Sequence, residues 1–318
     1  MAVDLLIVGS VALDTVETIR GRRERILGGS ASFAATAASF FTRPALCAVV
    51  GEDFPDEHVA FLRGRGILLD GLERAPGKTF FWAGRYASDF SSRETLETQL
   101  NVFAQFRPRL PAGCGDARFL FLGNIHPTLQ LEVLAQMSRP ALVACDTMNL
   151  WIETTPRELR ELLRRVDVLL LNDEEARQLS GEHNLLRAAR GVLALGPKSV
   201  VVKRGDAGAL LWHDGELFAV PAFPLEEVVD PTGAGDSFAG AFTGYLAGCG
   251  DVSPPAVRRA MVCGSVIASF SVEDFSLDRL RRLTMAEIGT RYRAMRDLVA
   301  FTDLNGAGPV APGARTRG

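Results

Sequence analysis

The sequence predicts an α/β protein of three layers, a mainly parallel central sheet with helices on both faces, carrying a small β-sheet lid. Three observations predict it. From Arg118 onward, short apolar runs alternate with helix starts. Residues 72 to 108 break that alternation with β-branched and aromatic runs that have no crossover helix between them. Late in the chain a glycine turn, Asp230-Pro-Thr-Gly-Ala-Gly-Asp236-Ser-Phe, joins a β-rich stretch to a helix of small and apolar residues.

Composition bounds the rest. At 318 residues, 47% apolar and 23% charged, the chain buries a substantial core. A net charge of −3 leaves no broad basic field for nucleic acid, so the partner is a small molecule. The start, Met1-Ala-Val-Asp-Leu-Leu-Ile-Val-Gly, lacks a basic leader, and no apolar run approaches the roughly 20 residues that span a bilayer. The expected location is therefore cytoplasmic, with no membrane partner. The five cysteines are scattered without a CxxC pair and read as buried apolar residues, and the four histidines show no zinc spacing.

In chain order, Val3 to Val8 is a buried-strand run, and Asp14 follows it where an open α/β sheet places ligands or, equally, where a surface turn falls. Gly28-Gly29 opens a small-residue helix from Ala31 to Phe40, suiting either backbone approach to a ligand or tight helix packing. Strand Ala45 to Val50, a helix after Pro55 and strand Gly66 to Asp70 continue the pattern. The runs Thr15–Ile19, Arg25–Leu27, Lys78–Tyr86 and Thr98–Phe103 then make the lid, within about 14–28 and 72–108.

Further strands fall at Arg118–Leu122, Ala141–Cys145, Val166–Leu171 and Ser199–Lys203, with helices from Pro127, Pro156, Asp173 and Asn184. Polar residues follow each strand: Gly123-Asn124, Asp146 to Asn149, and Asn172 with Glu175. The last pair is either a helix cap or a holder of the water shell of Mg²⁺. The loop Lys203-Arg-Gly205-Asp-Ala-Gly208 is a turn, or in a nucleotide enzyme a triphosphate border. A hairpin follows about Asp214-Gly215. Helix Pro254 to Phe270 has a small-residue face, Ala260, Cys263, Gly264 and Ala268, fit for a neighbouring helix or for a flat base. Residues 301 to 318 have no apolar periodicity and read as a disordered tail beyond a domain covering 1 to 300.

The glycine turn carries the chemistry. Gly233, Ala234 and Gly235 open a helix whose first N–H groups and positive dipole end suit an anion such as a terminal phosphate. Asp236 stands in that site. A carboxylate there is either a favourable first-turn acid, or the base that takes a proton from a hydroxyl attacking the phosphate.

Gly28-Gly29, Asn172-x-x-Glu175 and Asp230-Pro-Thr-Gly-Ala-Gly-Asp236-Ser-Phe, in that order, resemble the PfkB carbohydrate kinase family, also called the ribokinase family, over about residues 1 to 300. The resemblance implies a ribokinase-like fold and a kinase that moves the γ-phosphate of ATP to a hydroxyl. It implies Asp236 as catalytic base, Gly233 to Asp236 as anion hole, and Asn172 and Glu175 as holders of Mg²⁺ through water. It implies substrate contacts from Asp14, Gly28 and Gly29, with Asn124 at a neighbouring strand end and Arg85 closing from the lid. The same resemblance places ATP along Lys203, Gly205 and Gly208, beside Thr232, with Cys263 toward the base. Asp230 and Thr232 match positions that bind a monovalent cation, K⁺, in some members. Dimerisation through the lid strands is also expected, because an exposed apolar sheet edge tends to be covered.

Two departures bear on the acceptor. Many sugar kinases of the family carry Asn two residues before the first substrate Asp, where this chain has Ala12, and Asn five residues after the first paired glycine, where it has Phe33. Phe33 either stacks on an acceptor ring or excludes the usual furanose pose. Sugar, cyclitol and nucleoside acceptors all stay open. A catalytically silent relative that senses a metabolite is the alternative; a dinucleotide dehydrogenase is disfavoured because Gly9 to Asp14 is not GxGxxG.

Overall fold

Short strands made wholly of apolar residues need cover on both faces. In the computed structural model, which describes residues 3–302, they have it. The strands are β1 (Leu5–Val8), β2 (Ala12–Thr18), β3 (Gly21–Gly28), β4 (Ala45–Gly51), β5 (Leu68–Ala75), β6 (Phe80–Tyr86), β7 (Arg93–Gln99), β8 (Phe119–Leu122), β9 (Leu142–Asp146), β10 (Val168–Asn172), β11 (Ser199–Lys203), β12 (Ala209–His213) and β13 (Glu216–Val220). The helices are α1 (Ser30–Ala38), α2 (Asp56–Gly64), α3 (Pro127–Leu134), α4 (Asn149–Thr154), α5 (Pro156–Leu163), α6 (Asp173–Ser180), α7 (Leu185–Leu193), α8 (Ala234–Cys249), α9 (Pro254–Ser271), α10 (Asp278–Arg282) and α11 (Met285–Val299).

Nine strands form the central sheet in the order β13-β12-β11-β10-β9-β8-β1-β4-β5. All pairs from β11 to β5 are parallel, and β12 and β13 close one edge as an antiparallel hairpin through Asp214 and Gly215. Alternate residues serve opposite faces. Leu5 and Ile7 pack with α1, α8 and α9, whereas Leu6 and Val8 pack with α3, α5 and α7. The parallel register brings the carboxyl ends of β9, β10 and β11 to one rim, with Asn172 opposite Lys203 and Leu170 opposite Asp146.

That rim is set by helix packing. Gly240, Gly244 and Gly248 form one row along α8, and a β-carbon at any of them would run into the backbone of Ala34, Ala38 or Phe41 respectively. The two helices therefore lie backbone to backbone, which holds the mouth of α8 beside the start of α1.

The lid is a four-stranded sheet, β3-β2-β6-β7, in which a parallel β2–β6 pair joins two antiparallel hairpins. Its boundaries differ from those expected. Residues 72 to 75 belong to β5 at the edge of the central sheet. The fourth lid strand is Arg93–Gln99, not Thr98–Phe103. Asn101 takes a positive φ of 49° and starts a short 3₁₀ turn. The aromatic residues that suggested a strand instead anchor this turn, Phe103 stacking between Phe80 and Phe106 at 5.4 and 5.7 Å. Cys249 is exposed, against the expectation of burial, while the other four cysteines are buried. The expected tail lies outside the described residues from 303 onward.

Gly240→Val tests the helix contact. Forcing a branched side chain into the Ala34 backbone should cost at least about 1–3 kcal/mol, read as a lower urea midpoint, and turnover should fall with it because the mouth of α8 moves. An unchanged midpoint would show that the helices do not touch there.

Candidate active site

The turn before α8 is fastened at both ends. Asp230 is fully buried, its Oδ1 accepting the Thr232 N–H at 2.8 Å and its Oδ2 accepting the Ser276 N–H at 3.0 Å. The Ser276 hydroxyl donates to the Leu27 carbonyl, next to Gly28. One carboxylate thus ties the glycine turn to the paired glycines, and burial raises its pKa. Gly233 caps α8 with φ 73°, a conformation glycine adopts without strain. The Ala234 N–H turns back to the Pro231 carbonyl at 3.2 Å, and the first helical bond runs from the Ser237 N–H to Gly233 at 2.8 Å. Gly235 and Asp236 keep N–H groups with no backbone acceptor on another residue among those described.

Lys203, at the end of β11, reaches this mouth. Its Nζ donates to Asp146 Oδ2 at 2.7 Å, and a β-carbon at Gly235 would lie 3.1 Å from it. Burial works against the ammonium charge, but Asp146 and then Glu175 more than offset it, so its pKa is raised. Burial, then Asp146, pushes the half-buried Asp236 up to about 7, against the pull of Lys203 and Arg93. Glu175 is likewise pushed up to about 7 by burial and Asp146.

Asn172 and Glu175 form a capping box on α6: Asn172 Oδ1 accepts the Glu175 N–H at 2.7 Å, and Glu175 Oε2 accepts the Asn172 N–H at 2.8 Å. The cap does not exhaust them, since the Glu175 carboxylate also shares the field of Asp146 and Lys203. Close by, the Thr147 and Ser237 hydroxyls are buried without a partner. Hard oxygens in excess of cations, with unused hydroxyls beside them, fit a Mg²⁺ ion held through water.

Asp14 lies across the cleft. Gly29, with φ 91°, approaches the Ser10 and Ala12 backbone, and Gly28 leaves the space that the Asp14 carboxylate fills. Burial, then Asp230, pushes Asp14 up to about 8; Asp236 adds to this, and the Gly29 N–H works against it. Two acids raised by burial, Asp14 near the start of β2 and Asp236 at the mouth of α8, thus bear on one another's charge.

Five expected contacts fall elsewhere. Phe33 is 2% exposed, and its ring occupies the space where a Gly233 side chain would be, so it supports the turn from below and presents no face to the cleft. Arg85 lies on the outward face of the lid, three positions in register from Asp14, and pairs with Glu17 at 3.0 Å. Cys263 is buried toward Tyr292 and Cys249, its thiol pushed up to about 12 by burial, and is spent on helix packing. Gly208 packs against the backbone of Val220 to Ala222, whereas Gly205 is open to solvent. Asn124 is half-buried and accepts the Trp151 indole N–H at 2.8 Å.

The inward lid residues escaped sequence reasoning. Tyr86 accepts a hydrogen bond from the Thr232 hydroxyl at 3.1 Å. Trp82 pairs in register with Asp14, and Arg93 lies 5.2 Å over its ring. Arg93 lowers the pKa of Asp14, Glu175 and Asp236 alike. It sits in a polar run, Ser-Ser-Arg-Glu-Thr-Leu-Glu-Thr-Gln, that carries no strand signal. The hydrophobic alternation that would have marked β7 is missing because the strand is exposed throughout.

The chain matches known proteins along most of its length. The family model described as pfkB family carbohydrate kinase matches residues 5–277. A cytidine kinase from Thermococcus kodakarensis is 34% identical over 252 residues, 77% of this chain and 88% of that protein. An inositol 3-kinase from Oryza sativa subsp. japonica is 29% identical over 271 residues, 77% of this chain and 63% of that protein. A structure assigned as ribokinase II from E. coli, solved with ATP and Mg²⁺, superposes with a TM-score of 0.73 at 20% identity, covering 92% of this chain and 99% of that one, a likeness of fold. No helix among the described residues is long and apolar enough to cross a membrane.

The raised acids make stability depend on pH. Asp236 holds its proton up to about pH 7 when folded but only to about pH 4 when unfolded. Its contribution to stability is therefore complete below about pH 4 and is lost as pH rises toward 7. Asp236→Asn escapes that loss, so calorimetry should show it melting above the parent at pH 8, with the gap narrowing at pH 5. A gap that widened on acidification would reverse the assignment.

Proposed function

This chain belongs to the pfkB carbohydrate kinase family, and on that premise we propose that it transfers the γ-phosphate of ATP to a hydroxyl of a nucleoside, with Asp236 taking the hydroxyl's proton. The observation that carries the reading is the opposition of Asp14 and Asp236, each raising the need for a proton or a cation in one cleft, at the mouth of a helix with free N–H groups. Asp14 orients the acceptor by accepting from a second hydroxyl. Asp236, with a pKa near neutrality, is matched to accept a proton at physiological pH. The Gly235 and Asp236 N–H groups and Lys203 face the charge that builds on the transferred group. The lid excludes water that would otherwise take the phosphoryl group. Asn172 and Glu175 would hold Mg²⁺ through water, and the ion would neutralise phosphate charge. ATP runs from Thr232 and Gly233 past Lys203 toward Gly205.

A nucleoside is favoured within the sugar, cyclitol and nucleoside class for two reasons. The cytidine kinase relative matches this chain over most of its own length. The lid sets the Trp82 indole in register with Asp14 on the inward face, an aromatic surface beside the hydroxyl-binding acid that suits a base. The outward face of the lid carries a hollow of about 340 Å³ lined by Arg22, Arg25 and Lys78 together with Glu24, Asp53 and Glu97. Its mixed charge supports a homodimer in which two lids meet, which light scattering would read as twice the chain mass.

A screen of ATP consumption against nucleosides, inositols and sugars tests the assignment. Nucleosides should be phosphorylated fastest, and Asp236→Asn should keep ATP binding while turnover drops by about 10²–10⁴-fold. Preference for an inositol would move the acceptor but keep the mechanism. Ligand binding without ATP consumption on any acceptor would make the protein a sensor.

A further inference from the structure

The lid reaches the turn before α8 at two places, Thr18 donating to the Val229 carbonyl at 2.9 Å and, nearest the helix mouth, Tyr86 meeting Thr232. Tyr86 ends β6, and its phenol oxygen accepts from Thr232 Oγ1 at 3.1 Å, the residue just before Gly233. Across the β6–β7 hairpin its register partner is Arg93, whose charge pulls the phenol's pKa down against the rise that burial causes and whose guanidinium lies 5.2 Å over the Trp82 ring. Tyr86, Trp82 and Arg93 all belong to the inward face, whereas Arg85, the other arginine of this hairpin, is engaged with Glu17 and Glu94 outside.

We propose that Tyr86 is a positioning residue for phosphoryl transfer: its phenol holds the Arg93 guanidinium over the acid cluster and fastens the lid to the Thr232 turn, making lid closure and completion of the anion site one event. The inference rests on the phosphotransferase reading of the cleft and adds to it a second cation and the device that delivers it.

The charge balance requires such a cation. Asp14, Asp146, Glu175, Asp230 and Asp236 all bear on the cleft, and Lys203 is committed to Asp146 at 2.7 Å. Arg93 is the cation whose field reaches Asp14, Glu175 and Asp236 together, and it comes from the lid. A guanidinium on an exposed strand has many conformations open to it, and holding it in one costs entropy. The aromatic face beneath it and the phenol beside it offset that cost. The same phenol oxygen takes the Thr232 hydroxyl, so Arg93 is in place when the Thr232 turn is. A phenol that only filled space would have no need of the Thr232 bond.

Tyr86→Phe keeps the ring and removes the oxygen. On the parent's best acceptor it should lower kcat about tenfold while KM for the acceptor changes little, and should raise the share of ATP hydrolysed without transfer. Arg93→Met should lower kcat further, with Arg93→Lys recovering part of the loss. The double variant Tyr86→Phe/Arg93→Met should be no slower than Arg93→Met alone, the non-additivity expected when one residue acts through the other. Equal melting temperatures of Tyr86→Phe and parent identify the effect as positioning. Unchanged kcat in Tyr86→Phe, or losses that simply multiply in the double variant, would overturn the proposal while leaving the kinase reading intact. A parent that phosphorylates no acceptor would take down both.

Discussion

Two helices whose backbones touch set the geometry on which everything else depends. α8 offers Gly240, Gly244 and Gly248 to Ala34, Ala38 and Phe41, and no side chain separates the two axes there. Once they are locked, the start of α1 and the mouth of α8 are neighbours, and the Asp230–Ser276–Leu27 chain of hydrogen bonds ties their turns together. Phe33 completes the wedge from beneath Gly233. Catalysis by positioning needs this stiffness, because a displacement of about 1 Å at the reacting atoms can cost about a hundredfold in rate.

On that platform the protein collects acids that folding disfavours. Burial raises Asp14, Glu175 and Asp236 well above the ordinary carboxylate range, and the single N–H groups of Gly29 at Asp14 and of Asn172 at Glu175 offset only part of it, where Asp230 accepts two. A stable core would place neutral groups at these positions. Acids kept here at a cost in stability are ready for cations or for a substrate proton, and this is the kind of local conflict that marks a working site. Lys203 shows the same economy in reverse: its charge is tolerable in the interior because Asp146 meets it at 2.7 Å.

Much of this was legible in the chain. Strands that are apolar at every position announce burial on both faces, and the boundaries read for β8 to β11 fall within about two residues of those observed. The glycine turn announced the mouth of α8, because a positive φ at Gly233 and close approach at Gly235 both call for glycine. What was not legible depends on tertiary context. β7 has no apolar face, so Arg93 lay in what reads as a polar loop, and Arg85 drew attention although strand alternation turns it outward. Phe33 and Cys263 each carried a plausible ligand role, but their burial is fixed by neighbouring helices that no local pattern reveals. The helix α11 was signalled by the Thr284-Met-Ala-Glu287 capping box, which the structure forms, and was passed over because its apolar periodicity is weak.

The closed positions beneath the site also shape how an acceptor is recognised. Ala12 is fully buried and Phe33 nearly so, so neither place offers a side-chain amide. Of the groups proposed to meet the acceptor, Asp14 on β2 remains, along with the Gly28–Gly29 backbone. Asp14 can grip one hydroxyl, but a single carboxylate distinguishes poorly among molecules that all carry hydroxyls. Discrimination then falls to the inward lid face, where Trp82 supplies a flat apolar surface and Arg93 a fork of donors. In the mechanism proposed above, the mouth of α8 with its paired charges handles the phosphate, and the lid strands, Asp14 included, read the acceptor. If Tyr86 couples the lid to the Thr232 turn as proposed, an acceptor that fails to let the lid close also fails to complete the phosphate site. Recognition and chemistry would then be coupled through one phenol, and selectivity would act on turnover as well as on binding.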